Sequence, residues 1–170
     1  MLRLISGDEL DMRFITIVIA FNLSLLLSGC GTTQQKVHFP EQGKYVEEEG
    51  KGRIYIIGSP FSFNLVSRST TVSVVADDKH IGYIAGHRYL CWEREPGLST
   101  IAAYVYKSKS VVSLNIESGK VYYILAHVGP DLGTINPLVP GSGEMAVVLE
   151  AVNEEKGKEA LFETKPPELK

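Results

Sequence analysis

The side chains able to move protons or attack a carbonyl are few and scattered. His80 and His87 lie near Asp77 and Asp78, and imidazoles beside carboxylates are the raw material of a metal or acid–base site. Two ligands on one strand need an even spacing to share a face, and the step from 80 to 87 is odd. His38 stands in a polar stretch and His127 at the end of an apolar run, neither with an obvious partner. Ser142, in Gly141-Ser142-Gly143, lacks the Gly-x-Ser-x-Gly frame of a nucleophile elbow. Cys91 sits beside Trp92, where Arg88 and Arg94 offer only weak help toward a thiolate, so a buried strand cysteine is the expectation. Glu93 and Glu95 are two apart, a spacing found on any solvated strand. No nucleophile, base and orienting group fall together, and the expected catalytic and metal-binding residues are none.

Binding chemistry has more material. Tyr55, Tyr83, Tyr89, Tyr104, Tyr106 and Tyr123 form an aromatic set able to stack on sugars or peptide, although tyrosine is also an ordinary strand residue with a polar tip. The Gly- and Pro-rich stretch from Gly129 to Gly143 is long for a hairpin connection, and long loops are often functional. Its polar residues Asp131, Asn136 and Ser142 are the candidate binding loop. A net charge of -3, spread along the chain, excludes an evident basic surface for nucleic acid.

One further cysteine carries a different chemistry. Arg13 precedes a nearly continuous apolar run, Phe14 to Leu27, which ends at Leu27-Ser28-Gly29-Cys30. A positive start, an apolar middle and small residues at the end make a secretory signal, and the run is shorter than the roughly 20 residues a helix needs to span a bilayer. The acidic residues Asp8, Glu9 and Asp11 spoil the pattern upstream, so Met12 is read as the true start. The four residues ending at Cys30 resemble the bacterial lipobox, in which the thiol is acylated and the bond before it, here Gly29–Cys30, is cut. A single acyl chain binds a bilayer only marginally, at about 0.8 kcal/mol per buried methylene, whereas two or three hold stably. Cys30 is therefore the expected lipidation site, with palmitate-type acyl chains as the membrane contact, and Cys91 is left without a disulfide partner. Gly31, rather than Asp, after the cysteine is compatible with sorting to the outer membrane in a Gram-negative cell.

These residues require elements to hold them. Residues 1–29 are read as the signal peptide and 30–51 as the lipidated cysteine and a flexible, polar tether. Fully extended, that tether reaches about 70 Å, and as a coil about 25 Å. From Gly52 the sequence changes to short runs rich in Val, Ile and Tyr separated by turn residues, the pattern of an all-β sandwich. Strands are expected at 53–57, 61–66, 71–76, 80–85, 89–94, 99–106, 111–116, 120–128 and 145–151. Val72, Val74 and Ala76 alternate with Thr71 and Ser73, and Ile101, Ala103 and Val105 make a second inward row. Asp77-Asp78, Pro96-Gly97 and Ser118-Gly119 supply turn chemistry between runs. Asn153 is placed to cap a short helix with Glu154 and Glu155 in its first turn; Gly157 weakens that helix and Pro166-Pro167 stops it. The domain is drawn as 52–163, with 164–170 as a tail.

The succession Val74-Val75-Ala76-Asp77-Asp78-Lys79-His80-Ile81-Gly82, then Glu95-Pro96-Gly97, then Glu117-Ser118-Gly119-Lys120-Val121-Tyr122-Tyr123, resembles a bacterial lipoprotein family, the domain of unknown function 2846. The similarity runs from about Gly52 to Phe162, and its motifs are mainly structural. Asp78 departs from it, because the family has Gly there, and a little strain is expected in that hairpin. The resemblance implies a β-sandwich reminiscent of small carbohydrate-binding or surface-layer modules and implies no catalytic residues. The combined expectation is an antiparallel β-sandwich of about 7–9 strands with a short C-terminal α-helix. It would be anchored by lipid at Cys30 to the outer membrane, facing the periplasm and binding or scaffolding an envelope protein or cell-wall component without a further cofactor. An envelope hydrolase acting on cell-wall material is the alternative.

Overall fold

The computed structural model describes residues 33–42, 45–59, 70–131, 133–135 and 143–167. The signal segment, Gly29, Cys30 and the strand expected at 61–66 lie outside the described residues. Nine strands and one helix are present among the described residues. They are β1 (Gln34–Gln35), β2 (Gly52–Gly58), β3 (Thr71–Ala76), β4 (Lys79–Ala85), β5 (Tyr89–Arg94), β6 (Gly97–Val105), β7 (Ser108–Ile116), β8 (Val121–Pro130), β9 (Met145–Val152) and α1 (Glu154–Phe162). The fold is an all-β sandwich: a five-stranded sheet in the order β1-β4-β3-β6-β7 faces a four-stranded sheet in the order β5-β2-β8-β9.

Alternation sorts the side chains as the sequence demands. The inner faces of both sheets meet in one core that contains Ile54, Ile56, Val74, Leu90, Trp92, Ile101, Ala103 and Ile124. Trp92 keeps only 5% of its surface and shares this core with Val74 and Ile101. The sheets are not purely antiparallel. β2 and β8 pair in parallel, from Arg53 opposite Val121 to Gly58 opposite Ala126. The chain returns to β2 only after building most of the other sheet, so β8 re-enters from the same end of the sandwich as β2.

The β3–β4 hairpin closes on Asp77 and Asp78, with φ of 48° and 62° and Ala76 opposite Lys79. Two left-handed central residues match the right-handed twist of the flanking strands. Asp77 offsets the conformational cost with its carboxylate, which accepts from the Arg94 guanidinium (2.7 Å), the Ser99 hydroxyl (3.0 Å) and the Thr100 N–H (2.9 Å).

Residues 33–42 and 45–51, expected as a flexible tether, instead lie on the domain. Gln34 and Gln35 pair with Tyr83 and Gly82 of β4, Thr33 and Pro40 are fully buried, and Phe39 packs against the outer face of the four-stranded sheet. Residues 164–167, expected as a tail, are also docked: Lys165 bridges Arg88, and the Arg88 guanidinium donates to the Pro166 carbonyl at 3.0 Å.

Side chains close both edges of the four-stranded sheet. The Gln35 amide donates to the Cys91 carbonyl (2.6 Å) and accepts from the Cys91 N–H (3.0 Å), occupying the β5 edge as a peptide unit would. On the other edge, Ser108 and Ser110 of β7 accept from the Val147 and Leu149 N–H groups of β9, at 3.1 and 2.9 Å. Occupied groups on an edge make it a poorer template for pairing with another chain.

The strand directions give the sandwich two distinct ends. One gathers Thr33, the 86–88 connection, the β6–β7 turn at Tyr106 and Lys107, and the base of the 131–144 loop. The other carries the Asp77-Asp78 hairpin, the Pro96-Gly97 and Ser118-Gly119 connections and the start of α1.

Candidate binding surfaces

The two sheets treat their outer faces differently, and this divides the tyrosines. On the four-stranded sheet, Tyr55, Tyr89, Tyr123, Ile57, Cys91 and Leu125 form a second buried cluster, roofed by Phe39 and by Ala160 and Leu161 of α1. Tyr55 stacks on Tyr123 with ring centroids 5.5 Å apart and planes at 8°. These three tyrosines are core residues rather than a ligand platform. Gly157 lets the helix lie directly on the Tyr123 ring, because a methyl group built there would overlap it.

Among the described residues, nothing covers the outer face of the five-stranded sheet. Register places Tyr83, Ser73, Tyr104 and Lys109 in one row across β4, β3, β6 and β7. The His80 imidazole stands edge-on to Tyr83 (4.6 Å between centroids) and lies 3.2 Å from the Ser73 hydroxyl. The Lys109 ammonium lies 5.4 Å from the Tyr104 ring centroid, within cation–π range. A shallow groove of about 470 Å³ runs along this face between Val75, Thr100, Ala102, Tyr104, Lys109 and Val111. Tyr104 is 36% and Val111 48% exposed. The groove therefore combines apolar floor, aromatic edge, hydroxyl and cation with the Asp77 and Asp78 carboxylates of the hairpin.

A second cleft, about 330 Å³, opens between the N-terminal segment and the Asp77 hairpin, with Val37, His38, Glu48, Asp77, Trp92 and Arg94 among its walls. Several of its charged groups are already engaged: Asp77 with Arg94, Lys51 with Glu48, and His38 with the neighbouring Glu47 at 3.2 Å.

Glu93, expected to be a solvated strand residue, is instead a buried anchor. It faces Arg53 across β2 and β5, with the guanidinium 2.7 Å away and only 1% and 4% of the two side chains exposed. Its two oxygens accept from the Glu47 and Glu48 backbone N–H groups at 2.7 and 2.9 Å, and Arg53 donates to the Glu41 carbonyl at 3.1 Å. Burial opposes ionisation of Glu93, but the two N–H donors and the Arg53 guanidinium outweigh it and hold its carboxyl below the usual range. Sequence spacing missed this role; Arg53 opening an apolar run was the available signal.

The other predicted residues fall apart in space. Cys91 is fully buried, and desolvation pushes its thiol up to about 12 despite the pull of Arg53 and of hydrogen bonds to Tyr55 and Gln42. Arg94 is turned to Asp77 and Arg88 donates to Pro166, and Cys91 is the buried strand cysteine that was expected. His87 is exposed, and His127 meets Glu150 at 3.1 Å. Among the described residues, no three His, Cys, Asp or Glu side chains gather as a metal site. Of the loop candidates, Asp131 organises the loop base: its Oδ1 accepts from Gly133 N–H (3.0 Å) and its N–H donates to the Glu144 carbonyl (2.7 Å). Asn136 and Ser142 lie outside the described residues. Comparison with protein-family models, curated proteins and solved structures finds no match to this chain.

Proposed function

We propose that the protein is a lipid-anchored, non-catalytic binding module of the bacterial cell envelope, attached through acyl chains on Cys30 and facing the periplasm from the outer membrane. Its partner is an envelope protein or a cell-wall component, taken up on the outer face of the five-stranded sheet. The observation that carries the reading is the asymmetry of the sandwich. One outer face is roofed over Tyr55, Tyr89 and Tyr123 by Phe39 and α1, with Val148 still 57% exposed at its β9 side, while the other leaves Tyr104, Val111 and the Lys109 cation in a shallow groove among the described residues. An aromatic edge beside a cation and hydroxyls suits sugars or peptide, which need stacking and hydrogen bonds together. The lipobox-like residues at Cys30 and the resemblance of the turn motifs to a lipoprotein family support the location. The raised thiol of Cys91 and the commitment of the Asp77 carboxylate support a non-catalytic role.

A photo-crosslinking residue in place of Tyr104, compared with one in place of Glu155 on the exposed side of α1, tests the face in native membranes. Adducts specific to position 104 are expected. Equal or absent adducts at 104, with normal protein levels, would reject this face as the binding surface.

A further inference from the structure

The fold begins much closer to Cys30 than the sequence suggested, and this restricts how a lipidated chain can stand on a membrane. Thr33 is fully buried, its hydroxyl accepting from the Ala85 N–H at 2.8 Å and donating to the Ala85 carbonyl at 3.0 Å. Three residues of extended chain reach at most about 11 Å. An acylated Cys30 at the bilayer surface would therefore bring the Thr33 end of the sandwich against the headgroups.

The side chains at that end fit such a surface. The two most exposed large apolar or aromatic residues among those described are Phe162 (93%) and Tyr106 (79%), and both lie there: Tyr106 in the β6–β7 turn, Phe162 just before the segment that pairs with Arg88. Ile135, 41% exposed, stands on the loop beside them. Tyr106 holds a φ of 48°, a conformation that costs a bulky residue energy and that Gly or Asn would adopt more readily. An exposed aromatic retained at a strained turn points to use of the ring, and aromatic rings favour the headgroup level of a bilayer. Arg88 and Lys165 add cations at the same end. Of the carboxylates there, Glu144 is held by Lys107 at 2.7 Å and Asp131 is turned into the loop, while Glu163 is exposed. The opposite end carries Asp77, Glu117 and Glu154 paired with Arg94, Lys120 and Lys158, beside Asp78, Lys79 and Glu95, so exposed aromatic side chains and nearness to Cys30, not net charge, single out the Thr33 end.

We propose that the Thr33 end of the sandwich docks on the phospholipid surface, with Tyr106, Phe162 and Ile135 in the headgroup layer and Arg88 and Lys165 toward lipid phosphates. The docking rests on the lipidation of Cys30. It would leave the outer face of the five-stranded sheet directed sideways, open to a partner in the periplasm.

The test uses the full lipidated chain, purified from membranes and reconstituted in vesicles of phosphatidylethanolamine and phosphatidylglycerol. Single cysteines replace exposed residues that are not the anchors, His87→Cys and Glu163→Cys at the near end and Glu95→Cys at the far end; buried Cys91 stays unlabelled. Each carries a bimane fluorophore, and the vesicles contain a phospholipid with a nitroxide in its headgroup. Loss of emission at 87 and 163 with emission at 95 unchanged is expected. Bright labels at 87 and 163 on protein that still floats with the vesicles overturn the docking alone. Absence of acyl mass on Cys30, with no flotation, overturns the docking and the anchor together.

Discussion

Arg53 and Glu93 face each other across β2 and β5 with almost none of either side chain in water, and two backbone amides of the N-terminal segment complete the carboxylate. Removing one member of such a pair leaves a buried charge without its counter-ion, which costs about 3–5 kcal/mol. Glu93→Gln is therefore expected to lower the denaturation midpoint strongly, whereas Arg53→Met with Glu93→Leu should recover most of the loss. An additive double variant would contradict the coupling. The pair also sets a pH dependence. Because the folded-state pKa of Glu93 lies below its unfolded value, its contribution is complete above the ordinary glutamate range near ~4.3 and is lost as pH falls through the lower folded value. Protection factors of the Glu47 and Glu48 amides should fall as the medium is acidified below about pH 4. Constant protection down to global unfolding would mean that the carboxylate does not hold the segment. None of this was legible in the Glu93/Glu95 spacing, because an alternating strand pattern says which residues share a face but not what covers that face.

The helix and the N-terminal segment form the cover of the four-stranded sheet. A glycine inside an exposed helix normally costs about 1 kcal/mol relative to alanine. Gly157→Ala should act in the opposite direction, because the added methyl would meet the Tyr123 ring and overpacking costs about 1–3 kcal/mol. A raised melting temperature for this variant would show that α1 does not seat on Tyr123. The sequence located eight of the nine described strands to within a few residues because Val, Ile and Tyr alternate there with polar residues and turns punctuate them. β1 escaped notice because Gln34-Gln35 has no apolar period and gains its place from pairing with β4. One trace of it was present: Gly82, inside an expected strand, marks the close approach of another backbone, and a methyl group there would overlap the Gln34 carbonyl. The helix was legible from its cap, since the Asn153 side chain accepts from the Lys156 N–H at 2.9 Å as its position before Glu154 and Glu155 suggested. The parallel β2–β8 pairing was not, because strand order is a property of the assembled sheets.

At the scale of the molecule, one outer face is largely roofed and the other is uncovered among the described residues. The tyrosines illustrate how far composition reaches: Tyr55, Tyr89 and Tyr123 are core, Tyr83 and Tyr104 line the open face, and Tyr106 projects from the end near Thr33. Residue type gave all six the same weight, and only sheet registry separates them. Replacing Tyr104 with Ala should cost little stability, at 36% exposed, and should weaken partner capture from native membranes; a large drop in melting temperature would reassign it to structure. Every functional element of the account depends on attachment at Cys30, so the most direct measurement is metabolic labelling with an alkyne fatty acid in cells, comparing the natural chain with Cys30→Ala at matched expression. Label on the natural chain, with label and membrane retention both lost in the variant, is the predicted result. Undiminished labelling and retention of Cys30→Ala would contradict it.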